Sequence, residues 1–307
     1  MTKKPSKTRD YNQHPIIDSD RWDVYNQRDG DIVITTSYKA GTTWMQTIVA
    51  NLLYQDGEFP APVSVMAPWL DMALPPLDEV AAGLEAQENR RFIKTHLPID
   101  GIPYFAGNKY IYVGRDGRDV FMSMWNHHSN YSEDLKGATK EIAAGMGMDF
   151  KVDYQDIHEM YADWISKGWF DWEDDGYPYW SHLSHVKSWW EYRHLDNIHF
   201  VHFADLLSDP ERAIRRIAAF LDIQIDEDKL PGILERVTFA SMKKNFTNIM
   251  PEATEIWKGG GKSFMNKGTN GRWKEVLSSD ELARYDIAVE KALDPDAARW
   301  LAFGGEL

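Results

Sequence analysis

The residues best suited to chemistry lie in a short loop that leads from an apolar run into a helix-like segment. The loop contains Lys39 and Gly41 and is followed by Thr42, Thr43 and Trp44. A loop that joins a strand to a helix directs backbone N–H groups and the helix N-terminus at one place, which suits an anion. Lys39 adds a positive charge, the threonines add hydroxyl donors, and the glycine lets the backbone approach a ligand closely. The sequence therefore predicts an anion-binding loop.

The spacing of this loop differs from that of the common triphosphate-binding loop. That motif places a glycine, four residues, and then Gly-Lys-Ser/Thr. Here Lys39 precedes Gly41 by two positions, and the first glycine is missing. A small-molecule kinase on a phosphate-loop fold is the main alternative, and it would also need an acidic residue for Mg²⁺ after a strand. The third predicted strand ends in Gly114 and Arg115 instead.

Four short apolar runs and the helical patterns between them predict the elements that position this loop. The predicted strands are Asp31–Thr36, Arg91–Thr95, Lys109–Val113 and Ile198–Phe203. The predicted helices are Thr42–Leu53, Asp116–Trp125, Ser181–Tyr192 and Asp209–Leu221. Continuous apolar strands separated by helices indicate a parallel sheet covered on both faces. We therefore predict a single-domain α/β fold with a central parallel sheet flanked by helices.

The ends of this domain and one insertion are predicted from composition. Residues 1–25 are expected to form a flexible tail, because the first ten are polar and basic. The domain then covers residues 26–307. Within it, residues at about 130–180 are rich in Asp, Trp and Tyr without clean periodicity, and they are predicted to form an aromatic insertion or lid.

The loop resembles a pattern of a known enzyme family, the cytosolic-type sulfotransferases. Their loop reads Tyr-Pro-Lys-Ser-Gly-Thr-Thr-Trp, and the segment from Tyr38 to Trp44 matches it except that the proline is absent and Ala40 replaces serine. The resemblance extends over most of the chain, from about Asp31 to Tyr285. It implies a P-loop-like phosphosulfate-binding loop and the co-substrate 3′-phosphoadenosine 5′-phosphosulfate (PAPS), whose sulfuryl group moves to a hydroxyl or amine of a small acceptor. No metal is expected.

A second segment resembles the family at the end of the next predicted strand. Lys94-Thr95-His96-Leu97-Pro98 matches the family's Lys-Thr-His-Leu-Pro, and the resemblance implies that His96 is the catalytic base. The chemistry requires a base, because the acceptor hydroxyl must lose its proton as the new bond to sulfur forms. Lys39 and Lys94 would stabilise the negative charge that develops on the oxygen between sulfur and phosphorus. A non-catalytic binding module is a further alternative, and the retention of His96 with both lysines argues against it.

Three further segments resemble the family's nucleotide-binding segments. The segment after the third strand gives Arg115 and Ser123 as ligands of the 3′-phosphate. Phe239 and Trp44 correspond to the rings that pack on the adenine, and Lys267 with the Gly268 amide would meet the 3′-phosphate. The complete set of residues predicted to bind the co-substrate is Lys39, Ala40, Gly41, Thr42, Thr43, Trp44, Arg115, Ser123, Phe203, Thr238, Phe239, Met242, Phe264, Met265, Asn266, Lys267 and Gly268.

Three positions outside the loop also depart from the family's pattern. Asn266 stands where an arginine is usual, which removes one positive charge from the 3′-phosphate site. Arg272 stands where an aspartate is usual, which reverses a charge. Phe203 replaces a tyrosine that reaches the nucleotide, so one hydrogen bond is lost. The family's dimer motif is not recognisable, and the oligomeric state is left open.

Composition limits the possible partners and compartments. The chain of 307 residues has a net charge of −14, which argues against general nucleic-acid binding, and it contains no cysteine, which excludes disulfides and thiolate metal sites. No run of about 18 apolar residues is present, so a membrane span is not expected. Without a secretory signal, a cytoplasmic location is the default. A small-molecule acceptor is then the predicted partner.

The acceptor pocket is predicted only in outline. Candidates for its lining are Met66, Trp69, Trp125, His127 and the aromatic residues of 164–180, which favour a flat or apolar acceptor. The same residues could instead belong to the hydrophobic core. The acidic residues at 171–175 could prefer a cationic amine or form a solvated loop, and the solvated loop is the favoured interpretation.

Overall fold

A parallel sheet forms the centre of the molecule. The computed structural model describes residues 4–307, apart from the side chains of Thr254 and Lys262. Its sheet contains four strands in the described residues, in the order β2-β1-β3-β4, and all neighbouring pairs are parallel. The strands are β1 (Ile32–Thr35), β2 (Phe92–Thr95), β3 (Lys109–Gly114) and β4 (Ile198–His202). The predicted parallel sheet is confirmed.

Helices connect the strands and cover both faces of the sheet. Within residues 4–307 they are α1 (Thr42–Leu53), α2 (Val63–Met66), α3 (Leu77–Glu85), α4 (Gly117–Ser129), α5 (Glu133–Gly145), α6 (Ile157–Ser166), α7 (His182–Trp190), α8 (Phe203–Ser208), α9 (Pro210–Phe220), α10 (Leu230–Arg236), α11 (Phe239–Lys244), α12 (Phe246–Ile249), α13 (Ala253–Ile256), α14 (Gly261–Phe264), α15 (Ser279–Ala292) and α16 (Pro295–Phe303). Short 3₁₀ helices lie at Ser19–Val24, Ile99–Gly101 and Arg272–Glu275. In this part of the chain no helix is long and apolar enough to cross a membrane.

The strands are apolar throughout because each contributes to a core on both faces of the sheet. In β1, Val33 packs in one core while Ile32 and Ile34 pack in the other. In β3, Tyr110 likewise belongs to the first core and Ile111 to the second. Successive side chains of a strand point to opposite faces, so a strand buried on both sides carries no polar alternation.

The segment predicted as an insertion or lid is part of the first core. It contains helices α5 and α6, and Trp164 and Trp180 are almost completely buried there. The Phe121 ring of α4 packs edge-on against Tyr161 at a centroid distance of 4.8 Å. Aromatic packing from several directions fixes this segment, which explains why its sequence shows no simple periodicity.

The N-terminal residues that the structure describes differ from the flexible tail that was predicted. Tyr11, Ile17 and Trp22 are buried, with exposed fractions of 2% or less. The backbone N–H groups of Thr8 and Arg9 donate to the carbonyl of Asp100 at 2.8 and 3.0 Å. Composition indicated a tail because the first ten residues are polar, but the apolar residues after them anchor the segment. Residues 1–3 of the predicted tail lie outside the described residues.

Candidate functional site

A cavity of about 890 Å³ lies at the carboxyl ends of the strands. The segments that follow β1, β2 and β3 contribute Lys39, His96 and Arg115 to its lining, and Lys94 lines it from β2. The predicted residues that line this cavity are Lys39, Gly41, Thr42, Thr43, Trp44, Lys94, His96, Arg115, Ser123, Phe203, Thr238, Phe239, Met242, Phe264, Met265, Asn266, Lys267 and Gly268. The structure thus brings together residues that are more than 200 positions apart in sequence.

Among the residues predicted to bind the co-substrate, Ala40 is the one that does not line the cavity. Its side chain is 1% exposed and packs in the first core. Its contribution to a ligand is therefore limited to its backbone N–H group.

The loop between β1 and α1, residues 36–41, is here named the anion loop. Residues between positions 164 and 182 form hydrogen bonds with this loop. The Trp180 indole donates to the carbonyl of Ser37 at 2.6 Å, and the Ser37 hydroxyl lies 2.7 Å from the Nδ1 atom of His182. The Trp164 indole donates to the Tyr38 hydroxyl at 2.7 Å. These contacts fix the loop backbone, so its N–H groups keep their direction when a ligand binds.

Two positive backbone angles shape the end of the anion loop. Lys39 has φ of 47° and Gly41 has φ of 114° as the N-cap of α1. A Cβ atom on Gly41 would lie 2.9 Å from the Phe203 ring. Both the angle and the close neighbour require glycine at this position.

Lys39 projects into the cavity between an imidazole and an aromatic ring. Its Nζ atom lies 3.1 Å from the Nδ1 atom of His127 and 4.1 Å from the centre of the Phe264 ring. Burial lowers the pKa of Lys39 to about 7, and the positive charges of Lys94 and Arg115 act in the same direction. A bound anion would offset this loss of hydration and favour the ammonium form.

His96 has one ring nitrogen engaged by the backbone of the anion loop. Its Nδ1 atom lies 2.9 Å from the carbonyl of Thr36 and 3.0 Å from the hydroxyl of the same residue. A carbonyl oxygen can only accept, so Nδ1 carries the proton and Nε2 keeps its lone pair. Burial, followed by the charge of Lys94, holds the pKa of His96 well below its usual value, so the ring is neutral near pH 7.

Lys94 lies beside His96 and stacks over the Trp69 ring, with 4.5 Å between Nζ and the ring centre. Burial lowers the pKa of Lys94 to about 8, while Asp71 and Glu252 oppose that change. The Asp71 carboxylate accepts from the backbone N–H of His96 at 3.1 Å and from the Trp69 indole at 2.7 Å. Asp71 therefore fixes the positions of the His96 backbone and of the Trp69 ring.

Arg115 lines the cavity next to the backbone of the anion loop. Its guanidinium group lies 4.0 Å from the centre of the Phe203 ring and donates to the carbonyls of Lys39 and Thr269 at 3.2 and 3.1 Å. Burial lowers the pKa of Arg115 to about 10, which leaves it charged at neutral pH. A fixed guanidinium in a partly apolar setting is a strong site for a phosphate oxygen.

Aromatic side chains line the cavity beside Arg115. Trp44 meets the Phe203 ring edge-on at 5.2 Å, and Phe239 also lines the cavity. A Cβ atom on Gly268, whose φ is 65°, would lie 2.4 Å from the Phe239 ring. The Gly268 backbone therefore packs against the Phe239 ring, and Trp44 and Phe239 are rings of the kind on which a planar base stacks.

The part of the cavity beyond Lys39 and His96 is mostly apolar. Of the residues predicted for an acceptor pocket, Trp69 and His127 line the cavity, as does Trp180. Met66 does not, because it is buried in the second core. Trp125 faces a separate cavity of about 590 Å³ instead.

The acidic residues at 171–175 do not line the cavity, and two of them are not solvated. Glu173 and Asp175 are buried, with exposed fractions of 7% and 3%. Asp175 accepts from the Ser181 hydroxyl and from the backbone N–H of His182, and Glu173 accepts from the backbone N–H of Ser181. They support the start of α7 rather than select a cationic amine, and the prediction of a wholly solvated loop is wrong for these two.

Sequence reasoning missed several apolar residues of the cavity wall. Most of them come from irregular segments, while Val80 lies in α3 and Ile256 in α13. Nothing in the sequence distinguished them from core residues. They are Ile16, Met72, Leu74, Pro75, Val80, Phe150, Met250, Ile256 and Trp257.

Comparisons with known proteins agree with this geometry. A family model described as "Sulfotransferase domain" matches residues 29–295. A glycolipid sulfotransferase of Mycobacterium tuberculosis is 30% identical over 299 residues, which cover 93% of this chain and 91% of that protein. Among solved structures, mouse sulfotransferase SULT7A1 complexed with PAP, the nucleotide 3′-phosphoadenosine 5′-phosphate, has a TM-score of 0.70 at 18% identity and covers 94% of both chains. Retinol dehydratase in a complex with retinol and PAP has a TM-score of 0.67 at 22% identity and covers 90% of this chain and 84% of that chain.

Proposed function

The chain belongs to the sulfotransferase domain family, and from this premise we propose that it transfers the sulfuryl group of PAPS to a hydroxyl group of a small apolar acceptor. The observation that carries this proposal is a single cavity lined by Lys39, Lys94, His96 and Arg115 together with aromatic rings. A donor with a phosphosulfate, a planar base and a separate 3′-phosphate matches a cavity that combines several cations with aromatic side chains. The arrangement of His96, Lys39 and Lys94 supports the transfer reaction. The apolar lining of the cavity supports the class of acceptor.

In the proposed complex the anion loop holds the 5′-phosphosulfate. Its backbone N–H groups and the N-terminus of α1 face that group, and Thr42 and Thr43 add hydroxyl donors. Lys39 and Lys94 place positive charge where the oxygen between sulfur and phosphorus becomes negative as its bond to sulfur breaks. Stabilisation at this oxygen lowers the barrier of the transfer itself.

The adenosine lies against the aromatic rings beside Arg115. Trp44 and Phe239 pack on the base, and Arg115, Ser123 and Lys267 hold the 3′-phosphate. Phe203 contributes a ring face rather than a hydroxyl donor. In this arrangement the nucleotide is bound mainly by its two anionic groups and by stacking.

His96 acts as the base in the proposed reaction. The Thr36 carbonyl holds the proton on Nδ1, so Nε2 can accept the proton of the acceptor hydroxyl as its oxygen attacks sulfur. The products are the sulfated acceptor and PAP, with the proton first on His96 and then released to water. No residue in this sequence of steps changes its oxidation state.

The acceptor is proposed to be an uncharged alcohol or phenol with a substantial apolar part. The cavity beyond the lysines is lined by apolar side chains such as Trp69, Met72 and Trp180, which bind apolar surface and give little compensation for a buried charge. A charged amine would also approach Lys39 and Lys94, whose positive charges disfavour it. The name of the mycobacterial relative, a glycolipid sulfotransferase, supports an amphiphilic alcohol as one member of this class.

The test uses PAPS labelled with ³⁵S and a panel of phenols, long-chain alcohols, glycolipids and amines. We expect labelled product with apolar hydroxyl acceptors and little with cationic amines. Calorimetry with PAP measures donor-site binding separately. Absence of transfer to every acceptor, together with absence of PAP binding, would overturn the proposed function.

A further inference from the structure

Two guanidinium groups meet at the nucleotide end of the cavity without a carboxylate partner. Arg115 donates to the Asn270 side-chain oxygen at 3.1 Å and to two backbone carbonyls, all of which are neutral acceptors. Arg272 lines the same cavity. Between residues that the structure describes, neither arginine forms an ion pair with Asp or Glu. Positive charge is therefore concentrated here in a protein whose net charge is −14.

Arg272 has an unused hydrogen-bond donor on its guanidinium group. Its Nε atom is buried and has no partner among the described residues. A buried donor without a partner costs about 1–3 kcal/mol. A phosphate oxygen that accepts from this donor would remove this cost.

The nearby acidic residues do not neutralise this charge. Asp119 uses one carboxylate oxygen to accept the backbone N–H of Gly271 at 2.8 Å, and Asp116 is engaged by the Arg118 guanidinium at 2.6 Å. One carboxylate near Arg115 and Arg272 leaves an excess of positive charge. This excess matches a phosphate monoester, which carries about −1.5 to −2 charge at neutral pH.

The backbone between positions 266 and 272 explains how both positions reach one cavity. Gly268 and Gly271 have φ of 65° and 82°, so the chain turns twice within this segment. Asn266, where an arginine was expected, and Arg272, where an aspartate was expected, consequently line the same space. A charge lost at the first position can therefore be replaced from the second.

We propose that Arg272 binds the 3′-phosphate of the donor beside Arg115 and supplies the positive charge that position 266 lacks. This inference rests on the proposed function, because it concerns one end of the same donor. Arg272 then determines the preference for nucleotides that carry a 3′-phosphate over those that carry only a 5′-phosphate.

The experiment measures, by calorimetry, the binding of PAP and of adenosine 5′-phosphate to the full chain. In Arg272→Gln we expect the affinity for PAP to fall about 10- to 100-fold, the size of a lost charge-assisted hydrogen bond. The affinity for adenosine 5′-phosphate, which lacks the 3′-phosphate, should change less than about threefold. Arg272→Lys keeps the charge but lacks the planar guanidinium group. Its affinity for PAP should therefore lie between that of the unaltered protein and that of Arg272→Gln.

A charge-relocation variant and a matched control sharpen this test. Asn266→Arg added to Arg272→Gln returns a positive charge to the same end of the cavity and should recover at least about tenfold in PAP affinity. Lys274→Gln removes the same charge two residues away, at an exposed side chain that does not line the cavity. This control should bind both nucleotides like the unaltered protein. Thermal melting of each variant checks that it folds.

The outcomes separate this inference from the proposed function. If the unaltered protein binds PAP no better than adenosine 5′-phosphate, there is no 3′-phosphate site, and both proposals fail. If it prefers PAP and Arg272→Gln keeps that preference, the role of Arg272 is overturned while the proposed function stands. If Arg272→Gln lowers the affinity for both nucleotides by the same factor, the role of Arg272 is also overturned, because the residue would then be structural.

Discussion

His96 is suited to proton transfer because its two ring nitrogens have different surroundings. The Thr36 carbonyl fixes the proton on Nδ1, and burial keeps the pKa of His96 well below its usual value, so Nε2 is free to accept. Because its pKa is low, His96 is a weak base when no donor is bound. A negatively charged donor beside it would raise that pKa toward neutrality, where a base is most effective.

We therefore expect His96→Ala to lower turnover by roughly 10²–10⁴-fold. PAP affinity should stay within about threefold, since the ring lies at the reacting end of the cavity rather than on the nucleotide. Turnover with a fixed acceptor and calorimetry with PAP measure the two effects. A parallel loss of PAP binding would instead assign His96 to the structure of the anion loop.

The contact between Lys39 and His127 favours the charged form of the lysine. Lys94, Arg115 and His96 are the other ionisable groups that face Lys39, and the two cations among them lower its pKa together with burial. His127 is neutral, because burial followed by the charge of Lys39 holds its pKa well below the usual value. Its Nδ1 atom accepts a hydrogen bond from the ammonium form and therefore favours that form.

Donor capture should accordingly fall as pH rises through about 7, where Lys39 loses its proton. In His127→Phe the accepting nitrogen is gone, and the fall should begin about one pH unit lower. His127→Asn, whose side-chain oxygen replaces the Nδ1 acceptor, should keep the original midpoint. The measurement is kcat/KM for PAPS against pH, which reports ionisation in the free enzyme. Identical profiles for the Phe and Asn variants would contradict this role.

Individual site residues were predictable where a motif fixed both their type and their position. Lys39 and His96 follow strands that end at the same edge of the sheet, Lys94 lies near the end of β2, and the structure places all three in one cavity. The hydrogen bond between Lys39 and His127 was not predictable, because it joins positions 88 apart. The location of the Arg272 side chain was not predictable either, since it depends on two positive φ angles in an irregular segment.

At the level of elements, the anion loop depends on backbone geometry as much as on side chains. Gly41 combines φ of 114° with a Phe203 ring that leaves no space for a Cβ atom. Gly41→Ala should lower the free energy of unfolding by about 1–3 kcal/mol and weaken PAP binding as the loop shifts. Gly83→Ala is the matched control, because that glycine is exposed in α3 with no atom within 4 Å. It should be neutral or stabilising by up to about 1 kcal/mol.

Chemical denaturation and PAP calorimetry on the two glycine variants check this prediction. Equal unfolding free energies for both variants would show that the loop tolerates a Cβ atom at position 41. Loss of stability with unchanged PAP affinity would show that the loop backbone does not position the donor.

Regular elements were predicted more accurately than irregular ones. The prediction of α1 over Thr42–Leu53 agrees with the structure at both ends, and the predicted helix Asp209–Leu221 corresponds to α9, with Asp209 as its N-cap. These boundaries depend on local features, an apolar stripe and a capping carboxylate. The segment 130–180 depends on contacts between distant aromatic rings, so local reasoning identified its composition but not its place in the core.

For the molecule as a whole, the buried carboxyl groups behind the anion loop link stability to pH. Burial raises the pKa of Glu173 to about 8 and that of Asp175 to about 6. A raised pKa in the folded state means that the folded protein keeps its proton where the unfolded chain has lost it. This contribution to stability is fully present below the unfolded value of 4.5 for Glu173 and is lost as pH rises through about 8.

We expect the Tm of the unaltered protein to fall between pH 5 and pH 8 more steeply than that of Glu173→Gln. The amide cannot ionise, and its single oxygen can still accept one of the two backbone N–H groups, those of Ser181 and Phe170, that the two carboxyl oxygens accept now. Asp174→Asn is the control, because this neighbouring carboxylate is exposed and pairs with Lys291 at the surface. Its Tm should follow pH as in the unaltered protein. Equal slopes for the Gln variant and the unaltered protein would show that Glu173 does not carry this dependence.

The residues that line the acceptor cavity differ in how freely they can change during evolution. Trp180 lines the cavity and also holds the anion loop through the Ser37 carbonyl, so a substitution there alters acceptor fit and donor binding together. Met72, Leu74 and Val80 also line the cavity, from a segment outside the anion loop. Substitutions in residues 72–80 can therefore change the acceptor preference. Trp180 is less free to change, because it also positions the loop that binds the donor.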